Sequence, residues 1–213
     1  MSTVVVVDSG VANIGSVVAA LERAQAQVSV SRDWEVIRAA PRVLLPGVGS
    51  AAAAMRELHA LGLAERLPTL TQPVLGICLG MQLLFEASEE GGDPSLPIPR
   101  LTRCLSILPG TVRRLPEAPG VRIPHMGWNA LIPCRAHPLV AGLGSSDYAY
   151  FVHSYGVPES ALTLMACAHG ERFSAIVARG NFMGAQFHPE RSAAVGARLL
   201  HNFLHLQPGD LPA

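Results

Sequence analysis

Val74-Leu75-Gly76-Ile77-Cys78-Leu79-Gly80-Met81-Gln82-Leu83-Leu84 is the stretch from which the fold can be read. Residues 74–78 read as a short buried strand that runs straight into a helix over 79–89. Gly76 and Gly80 stand two residues to either side of Cys78. A sharp strand-to-helix turn needs glycines at those offsets, because side chains there would collide. Such a turn lifts the thiol out at the carboxyl end of a sheet, over a helix N-terminus whose dipole favours a thiolate. A lone cysteine is often just a buried structural residue. That plainer reading suits Cys104, Cys134 and Cys167, which lack the flanking glycines.

Working towards the N-terminus, strand and helix alternate. Residues 3–8 are a β-branched run of the kind buried on both faces of a parallel sheet. Asn13 is placed to cap a helix whose Ile14, Val17, Val18 and Leu21 share one face. Short strands follow at 28–30 and 42–45, the latter ending in Pro46-Gly47-Val48-Gly49, and Ser50 opens an alanine-rich helix to His59. This order predicts an α/β fold: a mostly parallel central sheet with helices on both faces.

Beyond residue 90 the pattern changes. Prolines 94, 97, 99, 109, 116, 119, 124 and 133 punctuate short β-like pieces, which predicts antiparallel strands added in the second half. Strands are expected at 148–153, 162–167, 173–179 and 182–188, with Gly180-Asn181 as a hairpin turn and a last helix over 191–206. Residues 208–213 are expected to fray.

Composition narrows the function classes. With 213 residues, 49% of them hydrophobic and 15% charged, the chain suits one large domain, residues 1–213, with ample core. Sixteen basic residues, all arginine, balance sixteen acidic ones without any block of like charge, so nucleic acid is not an expected partner. The absence of lysine removes any mechanism built on a lysine base or Schiff base. Residues 67–85 lack charge but contain Pro68, Pro73, Gly76 and Gly80, so strand, turn and helix are expected there rather than a membrane span. Scattered cysteines and the lack of a basic leader read as a cytoplasmic, reduced chain with no zinc site. His201 and His205 have metal-compatible spacing but no third ligand nearby, so a solvated helix end is expected, and no cofactor.

A thiolate needs a base. His188-Pro189-Glu190 follows a strand end, and in extended chain residues two apart point the same way, so Glu190 can orient the His188 ring. Acyl transfer also needs oxyanion donors. The backbone N–H of Leu79 is one candidate, and that of Val48, between two glycines that let its peptide rotate, is the second.

The segments Gly76–Leu84 and Phe187-His188-Pro189-Glu190 together resemble the class I, triad-type glutamine amidotransferases. More narrowly, Pro46-Gly47-Val48-Gly49, Pro124-His125-Met126-Gly127-Trp128-Asn129 and Tyr150-Phe151-Val152-His153-Ser154-Tyr155 are similar to the glutaminase subunits of imidazole glycerol phosphate synthases. The resemblance runs nearly the whole chain, and implies a flavodoxin-like α/β domain. It implies that Cys78 attacks the L-glutamine side-chain amide, His188 carries the proton to ammonia and Glu190 orients His188. Gln82, Ser154 and Tyr155 would hold the amino-acid end of the substrate, bordered by Gly47 and Gly49, with Val48 and Leu79 at the oxyanion. The ammonia would pass to a (β/α)₈-barrel cyclase subunit, completing a heterodimer that makes imidazole glycerol phosphate and aminoimidazole carboxamide ribotide in histidine biosynthesis. Trp128 and Arg191 would face that partner. The competing readings are a glutaminase for anthranilate or GMP synthesis and a non-catalytic regulatory subunit on the same scaffold.

The chain departs from the family pattern in places. The usual D-Y-G-x-G-N is Asp8-Ser9-Gly10-Val11-Ala12-Asn13 here, and positions often lysine are Arg122 and Arg191. Arginine and lysine bond differently, so ion pairs at the partner surface are expected to be arranged differently. The triad positions are untouched.

Overall fold

The computed structural model describes residues 2–10, 14–91, 101–207 and 209. The first half follows the expected alternation with one added helix, α2: β1 (Thr3–Val7), α1 (Ile14–Arg23), β2 (Gln27–Ser31), α2 (Trp34–Ala39), β3 (Val43–Gly47), α3 (Ala51–Ala60), β4 (Val74–Cys78) and α4 (Leu79–Gln82). Ser50 caps α3 by accepting from the Ala53 N–H, and Asp33 caps α2 by accepting from Glu35. α2 is not foreseen from the sequence, since six residues are too few to establish a helical period. The proposed cap Asn13, the Ala12 departure and prolines 94, 97 and 99 lie outside the described residues, as do residues 208 and 210–213 of the tail.

After α4 come β5 (Phe85–Ser88), β6 (Thr102–Arg103), β7 (Leu108–Arg114), β8 (His125–Ala130), β9 (Ile132–Pro133), β10 (Tyr148–His153), β11 (Tyr155–Gly156), β12 (Thr163–His169), β13 (Glu171–Arg179), β14 (Phe182–Ala185) and α5 (Ala193–His205). Among the described residues the main sheet has eight strands, in the order β2-β1-β3-β4-β14-β13-β12-β9. The first five run parallel and the last three are antiparallel additions. The parallel part has the flavodoxin-like order, in which ligands meet the carboxyl ends of the strands. Each face of the sheet carries its own apolar cluster, one containing Leu21, Phe187 and Phe203, the other Ile37, Leu58 and Phe85.

One expectation fails: the helix predicted over 79–89 is a single turn followed by a strand. The Leu83 and Leu84 carbonyls, which a longer helix would use internally, instead accept from the N–H groups of Leu105, Ile107 and Leu108. Phe85 is fully buried, and β5 pairs with β6 and β7. Distant pairing thus overrides local helix propensity. The strand predicted to His188 also stops early, at Ala185, although Gln186 still donates to the Ala175 carbonyl. Gly180 adopts φ +54° in the expected hairpin turn, and Asn181 anchors that turn by donating to the Leu70 and Gln72 carbonyls. Among the described residues no helix is long and apolar enough to cross a membrane.

Candidate active site

Cys78 ends β4 with φ +53° and ψ −113°, a conformation that costs a non-glycine residue on the order of 1–3 kcal/mol. Three glycines allow it. A Cβ on Gly80 would meet the Leu45 carbonyl oxygen at 1.9 Å, one on Gly76 the Gly80 carbonyl at 2.6 Å, and one on Gly47 the Gly80 N at 2.8 Å. β3, β4 and α4 therefore meet backbone to backbone, and the turn pushes the Cys78 side chain out beyond the sheet. Because α4 is only one turn long, little helix dipole stands behind the sulfur.

The candidate base, His188, comes from just beyond the end of β14. Along Gln186-Phe187-His188, Phe187 is fully buried in the core, while Gln186 and His188 turn the other way, towards Cys78. The His188 N–H donates to the Tyr150 carbonyl. Ser192 locks the same join, its hydroxyl donating to the His188 carbonyl at 2.7 Å and accepting from the Tyr150 N–H at 2.9 Å. His188 and Glu190 are not two steps along a strand, contrary to the expectation from the sequence. A tight 3-10 turn, Pro189–Arg191, brings the Glu190 carboxylate to 2.8 Å from His188 Nδ1. Gly196 of α5 makes room for that turn, since a Cβ there would meet the Pro189 carbonyl at 1.8 Å. Neither Ser192 nor Gly196 carries a motif that would have flagged it.

Burial alone would push the His188 imidazolium down. Hydrogen bonds and opposite charge from Cys78 and Glu190 overcome this and raise its pKa to about 10. The ring is thus held protonated between the Cys78 sulfur and the Glu190 side chain, the placement that activating a cysteine requires.

A cavity of about 440 Å³ opens over the sulfur. Its walls include Val48, Gly49, Leu79, Gln82, Ser154, Tyr155 and Arg191 together with Cys78, His188 and Glu190, so residues from distant segments converge. Gly47 lines a small adjoining recess with Pro46 and Ile77. The two glycines around Val48 have separate reasons: Gly47 for close approach to Gly80, and Gly49 for its φ of +91°. Gln82 is buried, and its amide nitrogen donates to the Tyr155 carbonyl at 2.8 Å and to Gln186 Oε1 at 2.9 Å. What remains for a ligand is its carbonyl oxygen. Glu90, which no sequence motif singles out, also faces the cavity; it accepts from the Ala51 N–H, and burial raises its pKa. A wider groove of about 640 Å³ between α1 and α5 reaches Glu190 from behind but includes neither the thiol nor the elbow.

At the mouth, the Arg191 guanidinium lies 4.8 Å from the Tyr150 ring centroid, a cation–π contact, and Trp128 packs edge-on to the same ring. Trp128 and Met126 project from β8 and are more than half exposed. The Arg122 carbonyl accepts from the His169 ring at 2.8 Å. Among the described residues no three His, Cys, Asp or Glu side chains are grouped to hold a metal; His201 and His205 stack on each other along α5.

Behind the cavity lies a histidine chain. The Asn129 amide donates to the Ala168 carbonyl and to His125 Nε2, so His125 carries its proton on Nδ1, 3.0 Å from His153 Nε2. His153 Nδ1 then donates to the Tyr155 carbonyl at 2.8 Å. Burial, with like charge from neighbouring histidines, lowers the His125 pKa to about 3. Burial likewise lowers His153 to about 4. A histidine kept neutral when folded but protonated when unfolded makes stability fall with acid. The loss is expected to begin near the unfolded pKa, about 6.5, and to run down to about 4 for His153 and about 3 for His125, at up to about 1.4 kcal/mol per pH unit for each ring. His188 has the opposite sign: its stabilisation is full below about 6.5 and is lost as pH rises towards 10. Urea midpoints between pH 7 and 5 check this, and His125→Gln is expected to give the shallower acid slope.

The class-I glutamine amidotransferase family model matches residues 5–206. The chain belongs to that family. Among the relatives of this amidotransferase, the imidazole glycerol phosphate synthase subunit HisH of Xylella fastidiosa is 52% identical over 97% of this chain and 98% of its own. The subunit of the same name from Xanthomonas oryzae pv. oryzae has the same identity and coverage. Two solved structures share the amidotransferase's fold. One, described as a glutamine amidotransferase, has TM-score 0.69 and 21% identity, covering 94% of this chain and 96% of its own. The other, PurLQS from Thermotoga maritima, has TM-score 0.66 and 19% identity, covering 96% and 98%.

Proposed function

We propose that this amidotransferase is the glutaminase subunit of an imidazole glycerol phosphate synthase, releasing ammonia from L-glutamine for a cyclase partner in histidine biosynthesis. The observation that carries the chemistry is the Cys78–His188–Glu190 constellation: a strained cysteine at the end of a central strand, hydrogen-bonded to a histidine whose other nitrogen is held at 2.8 Å by a buried carboxylate. The near-full-length identity to the HisH subunits supports the pathway and the partner.

In the reaction, Cys78 Sγ attacks the side-chain amide carbon of glutamine. The oxyanion is received by the Leu79 and Val48 N–H groups. The C–N bond breaks as His188 gives its proton to the departing nitrogen, and ammonia leaves. Water, deprotonated by His188, then cleaves the thioester to glutamate and restores the thiolate. Glu190 holds the ring orientation throughout. Gln82, Ser154 and Tyr155, with Gly47 and Gly49 bordering, position the amino-acid end, where Glu90 offers a carboxylate to the ammonium group. The exposed Met126, Trp128 and Tyr148 on the paired β8 and β10 give the cyclase an apolar surface beside the cavity mouth, with Arg191 at its edge.

Glutamine hydrolysis should be slow in the isolated chain and rise steeply when a cyclase carrying its nucleotide ligand is added. Transfer of ammonia to that ligand, measured as product formation with glutamine as sole nitrogen source, checks the partner. Activity that ignores the cyclase but follows an anthranilate or GMP synthase subunit would reassign the pathway and leave the glutaminase chemistry standing.

A further inference from the structure

We infer that Gln186 is a second hydrogen-bond donor to the Cys78 nucleophile, alongside His188, and that its orientation is dictated by the Tyr155 carbonyl through Gln82. The inference rests on the glutaminase reading of the site. Gln186 is completely buried, and its side-chain nitrogen lies 3.8 Å from Cys78 Sγ, within hydrogen-bonding range for sulfur.

An amide can be turned either way, and here its neighbours fix the direction of the contact. The Tyr155 carbonyl can only accept, so the Gln82 atom 2.8 Å from it is the NH₂ nitrogen. That same nitrogen lies 2.9 Å from Gln186, which must therefore present its oxygen. The other end of the Gln186 amide, facing the sulfur, is then an N–H donor. The Tyr155 carbonyl is itself held in place by His153 Nδ1, and His153 by His125 and Asn129. All bonds in the chain thus run in a compatible sense, from backbone carbonyls that cannot reverse.

The charge balance at Cys78 favours a role for this donor. α4 is too short to supply much dipole, and the sulfur is nearly buried, so a thiolate there needs hydrogen bonds from the protein. A purely structural residue at this position would be more stable as an apolar one: Phe187 beside it is core, and a buried amide costs free energy unless both ends are satisfied. Here the two ends are satisfied by Gln82 and by the nucleophile itself. The residue spacing fits as well, since Gln186 and His188 alternate with Phe187 and so reach the sulfur from the same strand end.

The test uses the full chain in complex with its cyclase, in the variants Gln186→Met and Gln186→Glu. Met keeps the length but removes the donor; Glu keeps the shape and places negative charge beside the sulfur. Both are expected to lower kcat for glutamine hydrolysis about tenfold or more, with KM for glutamine changed less than about threefold. Alkylation of Cys78 by iodoacetamide at neutral pH, followed by mass spectrometry of its peptide, is expected to slow in parallel. Wild-type kcat in a Gln186→Met complex that still assembles would overturn the inference, as would a rise in KM with kcat unchanged. If Gln186→Met fails to assemble, Gln186→Glu is read by the same criteria. Glutamine hydrolysis surviving in Cys78→Ala is a separate failure, that of the glutaminase reading itself.

Discussion

Cys78→Ala is expected to reduce glutamine hydrolysis by at least about 10,000-fold, the loss typical when a covalent nucleophile is removed. The substitution isolates the sulfur. Alanine keeps the Cβ, so the backbone strain at φ +53° is no worse than in the native chain. The elbow depends on Gly76 and Gly80, not on the thiol. The variant should therefore fold and bind the cyclase as the wild type does, and an ammonia-supplied cyclase reaction in the complex should persist. Glutamate release is the measurement, with co-purification of the partner as the control. The titration of His188 offers a second readout. Its pKa of about 10 owes part of its rise to the hydrogen bond and charge of Cys78, so in the variant the ring should titrate at lower pH by NMR. Turnover within about tenfold of wild type would remove Cys78 from the mechanism.

Gly80→Ala is expected to destabilise the protein by about 3 kcal/mol or more and to abolish activity in whatever folds. The added Cβ would lie 1.9 Å from the Leu45 carbonyl oxygen and 2.8 Å from its carbon. These are backbone atoms inside the central pair β3–β4, where Leu45 is registered with Gly76, so no side-chain rotation can relieve the clash. Either α4 must lift off the sheet or β3 must shift. Lifting α4 displaces Cys78 and the Leu79 N–H; shifting β3 displaces Gly47 and Val48. Both movements disrupt the site. A glycine with open space is the control: a Cβ added to Gly15 in α1 would have nothing within 4 Å, and Gly15→Ala should be neutral or stabilise by roughly a few tenths of a kcal/mol. Urea denaturation of the two variants side by side measures the difference. A Gly80→Ala protein as stable as Gly15→Ala would mean that the elbow packs less tightly than its contacts require.

How much of this was legible in the sequence differs by element. Much of the parallel half was, because β1 is an unbroken β-branched run and α3 carries a clear cap at Ser50, whereas the six-residue α2 shows no readable period. The length of the helix after Cys78 was not: leucines 83 and 84 and Phe85 suit a helix locally, and only the pairing of residues 102–112 with this segment makes it a strand. The proposed nucleophile and base are suggested by the glycine spacing and by His-Pro-Glu. Their geometry was reached by a different route from the one expected, a 3-10 turn in place of an extended pair.

The sequence by itself determined what depends on residue type at short range. It specified the tight turn at Cys78, the flavodoxin-like alternation, and the membership that the combined motifs imply. The tertiary structure decided what depends on groups far apart in the chain. Only the fold brings Gln186 to Cys78 across 108 residues, and Gln82 to Tyr155 across 73. It alone sets the Asn129–His125–His153 chain behind the cavity and packs α5 against the His-Pro-Glu turn through Gly196. The physical reason is that a buried polar group must find partners wherever the packing places them. No local pattern records which partner that will be.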